Sequence, residues 1–502
     1  MNCRKPATLI LIICLCSDFA AFAQPGPTPL PASPSVLASQ SVSANQFIPA
    51  SQSVPIPLPA PPHDYQKAFI GLYRAVQREF YDSARGLYRD FEQPAPKYGY
   101  AYCWPLCGLL QAFNEAEAAG LSEALSSGSK VSRSSQPPAS SKAPASNQLS
   151  GSSKAPAGSQ SSASSQASAG SQLTGSPEFG PPSVRRITAL LDLYQSDKPP
   201  MAGGNPSLRS DPSLRSDPSL RSDSSLRSDP SSRSDPSKPA LVRGYDSYLV
   251  QFGGGNRFYD DNQWLGLAWM DAWFRTKEPA LLERGKLIYR FMMTGYDTVT
   301  GGGLYWEEGK FISKNTCSNG PGIVLALQLY KATKEQKYLD TALLLYHWVD
   351  AHLRDSDGLY FDNIRLRDHR IGKAKYSYNT GTMLQANVYL YELTGEQAWL
   401  QRATAIADSA TRYFYGAGKF RDGYWFNAVL LRGLDELLKF DSNPAYLQAF
   451  RKCLDESLDH DLAPSGLMGA RKQQLLVNQA GMLEMLARMV LSPEARNIHE
   501  QK

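Results

Sequence analysis

The chain has 502 residues, with 52 Lys and Arg against 47 Asp and Glu, so its formal net charge is +5. Hydrophobic residues make up 42% of it, enough for one sizeable core, and the charge is too small and too evenly spread for a dedicated nucleic-acid-binding protein. No apolar run beyond the N-terminus reaches the roughly 20 residues that a membrane-spanning helix needs. We therefore expect neither an integral membrane span nor binding to nucleic acid.

Residues 1–23 have the organisation of a secretory signal peptide. Two cationic residues precede an apolar stretch at 7–16, and an Ala-Phe-Ala cleavage site ends at residue 23. Acylation of Cys14 or Cys16, as in a lipoprotein, is the alternative, but the residue before each of them is Ile or Leu rather than a small one. The sequence thus predicts export, to the periplasm or the medium, with a cell-surface lipoprotein less favoured.

Three segments have compositions typical of disordered chain. Residues 24–62 are rich in Pro, Ser and Ala, 121–182 are rich in Ser, Ala, Gly and Gln, and 201–239 contain hexads that alternate Arg and Asp. Such segments cannot bury enough apolar surface to offset the entropy of ordering. We therefore expect a single folded domain over 63–495, with disordered insertions at 121–182 and 201–239. The insertions are expected to lie far from the functional site; coverage of one end of its cleft is the alternative.

The folded part reads almost wholly as helices, and one unit recurs along it. Thr276, Thr333 and Thr394 are each followed two residues later by Glu and five residues later by a large apolar residue. This arrangement indicates the end of one helix, a short turn and the start of the next. The other ends of these helix pairs carry loops rich in Gly, Trp, Tyr, Asn and Asp. We therefore predict an all-α fold, a closed toroid of helix pairs whose functional mouth lies on the side of the long loops.

The strongest chemical signal is a pair of adjacent carboxylates, Asp260 and Asp261, within Tyr-Asp-Asp-Asn-Gln-Trp at 259–264. Helix capping, which stabilises by about 0.3–1 kcal/mol, accounts for one acidic residue but not for two among aromatic and amide residues. Glycoside hydrolysis needs one neutral and one ionised carboxyl group at the scissile bond. Repulsion between neighbouring carboxylates raises the pKa of one of them, which differentiates such a pair.

Sugars bind to aromatic faces through their C–H surfaces and to planar amides or carboxylates through their hydroxyls. Residues of both kinds recur at the loop ends of successive helices, although any one of them alone would be a core residue more often than a sugar contact. We predict that the glycan is bound by residues at these loop ends: Trp104, Asn262, Trp264, Trp306, Asn315, Asn319, Asp362, Tyr378, Asn379 and Trp425.

Cysteine and histidine spacing gives no metal site. Cys103 and Cys107 lie four residues apart, so buried thiols are favoured over a strained disulfide, and partners for zinc are missing. The six histidines show no ligand spacing. We expect no metal or other cofactor.

Six motifs in order resemble glycoside hydrolase family 76, the endo-α-1,6-mannanases. They are Tyr-Cys-Trp-Pro, Tyr-Asp-Asp-Asn-Gln-Trp, Gly-Gly-Gly-Leu-Tyr-Trp, Ser-Lys-Asn-Thr-Cys-Ser-Asn-Gly-Pro, Gly-Leu-Tyr-Phe-Asp-Asn and Lys-Tyr-Ser-Tyr-Asn-Thr-Gly, at 102–105, 259–264, 301–306, 313–321, 358–363 and 375–381. The resemblance covers about 65–490 outside the insertions. It implies an (α/α)6 barrel and a retaining mechanism, with Asp260 as nucleophile and Asp261 as general acid/base.

The sequence therefore predicts an exported, retaining, endo-acting glycosidase for α-1,6-linked mannan or a related mannose-containing glycan, acting as a monomer. A transglycosylase on the same scaffold is the first alternative. Another (α/α)6 enzyme, such as an unsaturated-uronide hydrolase or a sugar epimerase, would lack this acid pair and would show a prominent pair of catalytic histidines. The alternatives without catalysis are a glycan-binding protein and a helical scaffold for protein partners.

Overall fold

The computed structural model describes residues 63–90, 99–125, 180–199, 241–470 and 474–491. The expected signal peptide at 1–23, the linker at 24–62, the insertion at 201–239 and most of the insertion at 121–182 lie outside the described residues. Residues 121–125, at the start of that insertion, are helical. In the described part of the chain, no helix is both long and apolar enough to cross a membrane.

Apart from the short helical segment at 121–125, twelve α-helices in the described residues alternate between an outer and an inner layer. The outer helices are α1 (Tyr65–Phe80), α3 (Val184–Leu191), α5 (Pro279–Met293), α7 (Gln336–Leu353), α9 (Gln397–Ala410) and α11 (Ala445–His460). The inner helices are α2 (Cys103–Ala118), α4 (Tyr259–Thr276), α6 (Thr316–Thr333), α8 (Ser377–Thr394), α10 (Tyr424–Leu437) and α12 (Leu476–Val490).

The inner helices form a closed ring. Each packs against the inner helix before and after it, and α12 packs against α2. Outer helices α3, α5, α7, α9 and α11 each pack on the inner helix that precedes them in the chain, and α1 packs on α12. This is the predicted (α/α)6 barrel.

Burial separates the two layers. Every residue of α8 from Ser377 to Leu390 is buried, as expected for a helix that is surrounded by other helices. Outer helix α1 instead buries one stripe, including Phe69, Leu72 and Val76, at the three- and four-residue spacing of a helix with one solvent-facing side.

Because each inner helix is followed by an outer helix that runs back, all six inner helices point the same way. Their C-terminal ends, which connect to the next outer helix, lie at what we call the closed end. Their N-terminal ends lie at the other end, which we call the mouth. The partial positive charges of six helix N-termini therefore meet at the mouth.

Three turns at the closed end share one structure, which confirms the repeat read from the sequence. The hydroxyls of Thr276, Thr333 and Thr394 donate to the carbonyl four residues earlier, at 2.9, 2.8 and 2.8 Å. They accept from the backbone N–H of the Glu two residues later, at 3.3, 3.2 and 3.2 Å. The residue in between is left-handed in each turn, with φ of 58° at Lys277, 61° at Lys334 and 72° at Gly395.

The mouth also contains strands that helical periodicity did not predict. Two hairpins pair β1 (Tyr81–Asp82) with β2 (Leu87–Tyr88) and β3 (Gln195–Lys198) with β4 (Val242–Tyr245). An antiparallel sheet has the order β5 (Tyr305–Glu307), β6 (Lys310–Asn315), β7 (Phe361–Arg365) and β8 (Ile371–Lys375). The all-α prediction is thus right for the barrel, but it misses the strands in the loops. Strands β6 and β7 pair although helices α6 and α7 lie between them in the chain, so helical periodicity gives no sign of their pairing.

The two expected insertions begin at opposite ends of the barrel. The first follows the C-terminal end of α2, at the closed end. The second leaves from the β3–β4 hairpin at the mouth, where Lys198 pairs with Val242. Arg257, three residues before Asp260, donates to the carbonyls of Ser196 and Val242, at 3.3 and 2.8 Å. The root of the second insertion therefore lies near the acid pair, and the expected remoteness holds only for the root of the first.

Candidate active site

The acid pair lies in the first turn of inner helix α4, at the mouth. Phe258 has the extended backbone of a residue that precedes a helix, and Asp260 and Asp261 are the second and third helical residues. Both side chains are partly exposed to the mouth, and neither forms a salt bridge within the described residues. The helix N-terminus is therefore the main local source of positive potential for them.

Asp260 is held by hydrogen bonds to both of its carboxylate oxygens. Its Oδ1 accepts from the backbone N–H of Asp261 at 3.0 Å, and its Oδ2 accepts from the indole Nε1 of Trp306 at 3.0 Å. Burial raises the pKa of Asp260 to about 6, and hydrogen bonds from Cys317, Trp306 and the backbone limit that rise. Asp260 is therefore ionised at neutral pH.

Asp261 has a different environment. No side chain or backbone group in the described part of the chain donates a hydrogen bond to its carboxyl group. Burial, and then the neighbouring charge of Asp260, raise the pKa of Asp261 well above its usual range. The environment of the pair therefore favours the protonated form of Asp261 more strongly than that of Asp260, and glycoside hydrolysis requires such an unequal pair.

Two buried thiols flank the pair. The Cys107 thiol on α2 contacts the backbone carbonyl of Asp261 at 3.3 Å, and the Cys317 thiol on α6 hydrogen-bonds to Asp260. The thiols of Cys103 and Cys107 are free and buried, as predicted, and so are those of the other two cysteines in the described residues, Cys317 and Cys453. The sequence reading did not assign Cys317 to the site, although it lies inside the motif at 313–321.

A third carboxyl group approaches the pair from the sheet. Asp362, on β7, accepts a hydrogen bond from Nδ2 of Asn363 at 2.6 Å. Burial raises its pKa, and hydrogen bonds from Asn363 and Asn379 partly oppose the rise. The pKa of the Cys317 thiol is raised mainly by burial and further by the charges of Asp260 and Asp362. The two carboxyl groups therefore lie near the same sulfur atom. Apart from its contact with Asp362, the buried Asn379 amide has no hydrogen-bond partner in the described residues.

The predicted aromatic residues meet at the mouth, but at different depths. Trp425 packs edge-on against Trp264, with ring centroids 4.9 Å apart, and against Trp104, at 5.4 Å. Trp264, Trp425 and Tyr378 are buried, whereas Trp104 is partly exposed. The cluster is extended by two partly exposed rings that the sequence reading missed, Tyr376 and Phe426. Trp264 and Trp425 thus form a floor beneath the exposed rings.

Two predicted glycan contacts, Asn262 and Asn319, are fully buried and bonded to backbone. The Asn262 amide bonds both N–H and C=O of Tyr245, at 2.8 and 2.9 Å, and the carbonyl of Phe258. Asn319 does the same with Leu304 and the carbonyl of Asn315. These amides attach mouth loops to inner helices through hydrogen bonds, so Asn262 and Asn319 have a structural role and are not glycan contacts.

Amides on two other inner helices bond loop backbone in the same way, and all four share one position in the sequence relative to the start of the helix. Each amide lies four residues after the residue that precedes its helix. Gln479 on α12 bonds the N–H and C=O of Met468, and Asn427 on α10 bonds the carbonyls of Asp422 and Gly423. Spacing from the helix start could therefore have separated these amides from sugar contacts.

The remaining predicted contacts lie beside the acid pair. The Trp306 side chain is 39% exposed, and its ring lies 5.0 Å from that of Phe258. Asn315, immediately before α6, accepts a hydrogen bond from the Ser313 hydroxyl at 2.7 Å and is largely buried. The structure thus brings Trp306 and Asp362 together with Asp260 and Asp261 at the mouth.

Comparison with known proteins agrees with this geometry. The sequence profile described as Glycosyl hydrolase family 76 matches residues 240–455, a range that contains the acid pair and the whole β5–β8 sheet. This part of the chain, 216 of its 502 residues, is thus similar to glycoside hydrolase family 76.

Curated relatives include yeast proteins. The chain is 31% identical over 172 residues to mannan endo-1,6-alpha-mannosidase DCW1 of Candida glabrata, and 28% identical over 172 residues to DCW1 of Saccharomyces cerevisiae. Each alignment covers 31% of this chain and 38% of the yeast protein. The chain is therefore matched to less than half of the length of these relatives.

Solved family 76 structures share the fold over most of the chain. A family 76 glycoside hydrolase from a bovine Bacteroides thetaiotaomicron strain superimposes with a TM-score of 0.60 at 22% identity, covering 86% of this chain and 78% of that chain. An inactive α-1,6-mannanase variant from Salegentibacter sp. HEL1_6, in complex with α-1,6-mannotriose, gives a TM-score of 0.55 at 19% identity, covering 85% and 99%. At these identities the likeness establishes the fold.

Proposed function

We propose that this protein is an exported, endo-acting glycoside hydrolase that cleaves α-1,6-mannosidic linkages with retention of configuration. The observation that carries the proposal is the unequal environment of the acid pair at the mouth: hydrogen bonds to both carboxylate oxygens favour the ionised form of Asp260, whereas burial and the charge of Asp260 raise the pKa of Asp261 well above its usual range. The yeast relatives are named mannan endo-1,6-alpha-mannosidases. The inactive Salegentibacter mannanase has two consecutive aspartates replaced by asparagine, which supports an adjacent pair as the catalytic element. The N-terminal signal sequence supports export.

The first half of the reaction uses both carboxyl groups. The Asp260 carboxylate attacks the anomeric carbon while Asp261 gives its proton to the departing glycosidic oxygen, which leaves as the hydroxyl of the released chain. Successive helical residues project about 100° apart, so two adjacent side chains can reach different sides of one bond. The products are a glycosyl ester on Asp260 and an ionised Asp261.

The second half returns both groups to their starting states. The Asp261 carboxylate takes a proton from water, and the resulting hydroxyl attacks the anomeric carbon and releases Asp260. Two inversions at this carbon give net retention. Capture of the ester by a sugar hydroxyl instead of water would give transglycosylation with the same residues.

We propose that the rest of the mouth binds the sugar chain. Asp362 offers a carboxylate to ring hydroxyls near the acid pair, and the buried Asn379 amide hydrogen-bonds to that carboxylate from behind. The partly exposed faces of Trp104, Tyr376 and Phe426 offer surfaces for sugar C–H groups, above the floor formed by Trp264 and Trp425.

The test is digestion of linear α-1,6-mannan by the mature chain from residue 24, with products followed by reducing ends, chromatography and the anomeric signals of first-formed products. Asp260→Asn and Asp261→Asn are expected to lose activity by about a thousandfold or more, because each removes a group that reacts. Asp271→Asn is the matched control, since Asp271 is on the same helix but away from the mouth.

The outcomes separate the alternatives. Short oligosaccharides with the α-configuration, from wild type and Asp271→Asn only, support the proposal. Products of β-configuration would contradict retention. A folded wild-type protein that leaves α-1,6-mannan intact would contradict the activity itself, and retardation of that protein in a mannan gel would point to a binding protein.

A further inference from the structure

Trp306 makes a contact that its assumed role as a sugar platform does not require. Its indole has one hydrogen-bond donor, and that donor is used on Oδ2 of Asp260 at 3.0 Å. The ring itself remains 39% exposed at the mouth. The side chain therefore has two faces of interaction, one toward the acid pair and one toward the cleft.

The strand that carries Trp306 is fixed on one side by a buried ion pair. The Lys314 ammonium is fully buried and bonds Asp297 Oδ1 and the carbonyls of Val299 and Gly302. The Tyr305 hydroxyl donates to the other oxygen of Asp297 at 2.6 Å. Since Tyr305 directly precedes Trp306, this network fixes the backbone at the start of β5.

A second ion pair fixes the other side of the strand. The buried Arg257 forms two hydrogen bonds of 2.6 Å to the carboxylate of Glu308. The backbone of Glu307 also forms an isolated β-bridge with that of Phe258, the residue just before helix α4. The ring of Phe258 also supports the Trp306 indole at 5.0 Å. The strand of Trp306 is thus tied to the residues that immediately precede the acid pair.

We propose that Trp306 is a positioning residue for Asp260: its indole N–H orients the carboxylate and favours its ionised form, and the two flanking ion pairs hold the indole in place. The proposal rests on the proposed function, in which Asp260 is the nucleophile. It gives Trp306 a role that acts through another residue, in addition to any contact with sugar.

The chemistry explains why a donor at this point matters. A hydrogen bond to the charged form of a carboxyl group stabilises that form, and bonds to ionised groups are the stronger ones. Desolvation acts in the opposite direction on Asp260. Without the indole donor, the backbone N–H groups of Asp260 and Asp261 and the Cys317 thiol would remain among the described residues to oppose it, so a larger fraction of Asp260 would be protonated at neutral pH.

The test is Trp306→Phe, which keeps an aromatic ring and removes the donor. We expect the acid limb of kcat/KM against pH to move up by about one pH unit, as for loss of one charge-assisted hydrogen bond. Because the protonated fraction then grows, kcat/KM falls about tenfold below pH 6 and less at pH 8. Trp273→Phe, at the closed end, is the matched control and is expected to leave the profile unchanged.

A sugar platform alone predicts a different result. Loss of stacking would raise KM at every pH and leave the position of the acid limb where it is in wild type, and that outcome would overturn the proposal. Thermal melts of both variants show whether the comparison is between folded proteins.

A second readout does not depend on catalysis. Protonation of a carboxyl group in contact with an indole changes the fluorescence of that indole, so wild type is expected to show a fluorescence transition near pH 6 that both Asp260→Asn and Trp306→Phe lack. If wild type shows this transition but leaves mannan intact, the activity is wrong while the contact stands. If the transition survives in Trp306→Phe, the proposal is wrong whatever the activity.

Discussion

The carboxyl groups around the acid pair are compensated differently from those in the network at the closed end. Four carboxyl groups at the mouth form no salt bridge within the described residues, and burial raises the pKa of each: Asp260, Asp261, Asp362 and Asp422. Their neighbours Asp297 and Glu308 are instead paired with Lys314 and Arg257. At the closed end, buried carboxylates meet cations on neighbouring inner helices. Arg488 bonds Glu115 at 2.8 Å, Asp435 at 3.3 Å and Glu484 at 3.0 Å, and Arg432 bonds Glu484 through two bonds of 2.7 Å.

This difference follows from how each carboxylate is compensated. Burial opposes ionisation of Glu484, yet the charges of Arg432 and Arg488 lower its pKa below the usual value. For the acid pair the compensation comes from the helix N-terminus and neutral donors, which are weaker than a guanidinium. The same six helices therefore end in a neutralised ion-pair network on one side and in carboxyl groups that can take up and release protons on the other.

Asp271, farther along helix α4, belongs neither to the acid pair nor to the ion-pair network at the closed end. It accepts hydrogen bonds from Gln111 at 3.0 Å and Gln328 at 2.6 Å, and no salt bridge within the described residues reaches it. Burial, then the charge of Glu115, raise its pKa to about 7. A raised pKa alone therefore does not distinguish the acid pair from Asp271; its position at the mouth does.

The largest effect is expected from breaking the network at the closed end. Arg488→Met removes a cation that bonds acids on α2, α10 and α12, leaving Glu115 and Asp435 buried without their ion pairs. Removing one partner of a buried pair costs about 3–5 kcal/mol, because the remaining charge stays buried. Chemical denaturation at pH 7 should show a loss of this size in the free energy of unfolding.

The control for that variant is Lys419→Met, which breaks an exposed pair with Glu456. Surface pairs contribute only about 0–1 kcal/mol, so this variant should stay close to wild type. A similar, small loss in both variants would show that the network at the closed end is not a stabilising element.

A smaller effect of opposite sign is expected at the mouth. The pKa of Asp260 rises on folding from 3.8 to about 6, so the folded protein holds more protons between these values. Stability attributable to this group is therefore greatest at low pH and is lost as the pH rises to about 6. Asp260→Asn has no charge to bury and should be more stable than wild type at pH 7.5, by up to about 3 kcal/mol.

Denaturation at two pH values checks this prediction. The advantage of Asp260→Asn should disappear near pH 4, where wild-type Asp260 is protonated in the folded state. A variant that is less stable than wild type at pH 7.5 would show that the bonds from Trp306 and Asp261 outweigh the cost of burying the charge.

The barrel could be predicted from the sequence because its determinants are local. The Thr-turn-Glu unit occurs in three turns at the closed end. The spacing of Leu72, Val76 and similar apolar residues is that of a helix with one buried face, as in the outer layer. The strands of the mouth sheet could not be predicted in this way, since Ser313 pairs with Arg365 across α6 and α7. Pairing over such a distance leaves no periodic signal in either segment.

The candidate site was predictable in part for the same reason. Adjacent acids at a helix start are visible in the sequence, so Asp260 and Asp261 could be named. The bonding of an amide cannot be read from its type, and Asn262 and Asn319 were therefore assigned to the glycan although their amides bond backbone. Trp306 was assigned to stacking because its N–H contact depends on a strand that the sequence did not reveal.

The smallest expected effect concerns the closed-end turns, where sequence and structure agree. Lys334 and Gly395 occupy equivalent left-handed positions, with φ of 61° and 72°. A side chain in this conformation costs about 1–2 kcal/mol, and glycine loses about 0.5–1 kcal/mol more entropy on folding. Lys334→Gly should therefore stabilise by about 0.5–1 kcal/mol. Gly395→Ala should destabilise by a similar amount, through backbone strain alone, since no atom lies within 4 Å of the added Cβ.

Shifts in the denaturation midpoint at equal slope measure both changes in stability. Activity on mannan should change in neither variant, because these turns lie at the end of the barrel opposite the acid pair. A loss of activity in Lys334→Gly would show that the two ends are coupled.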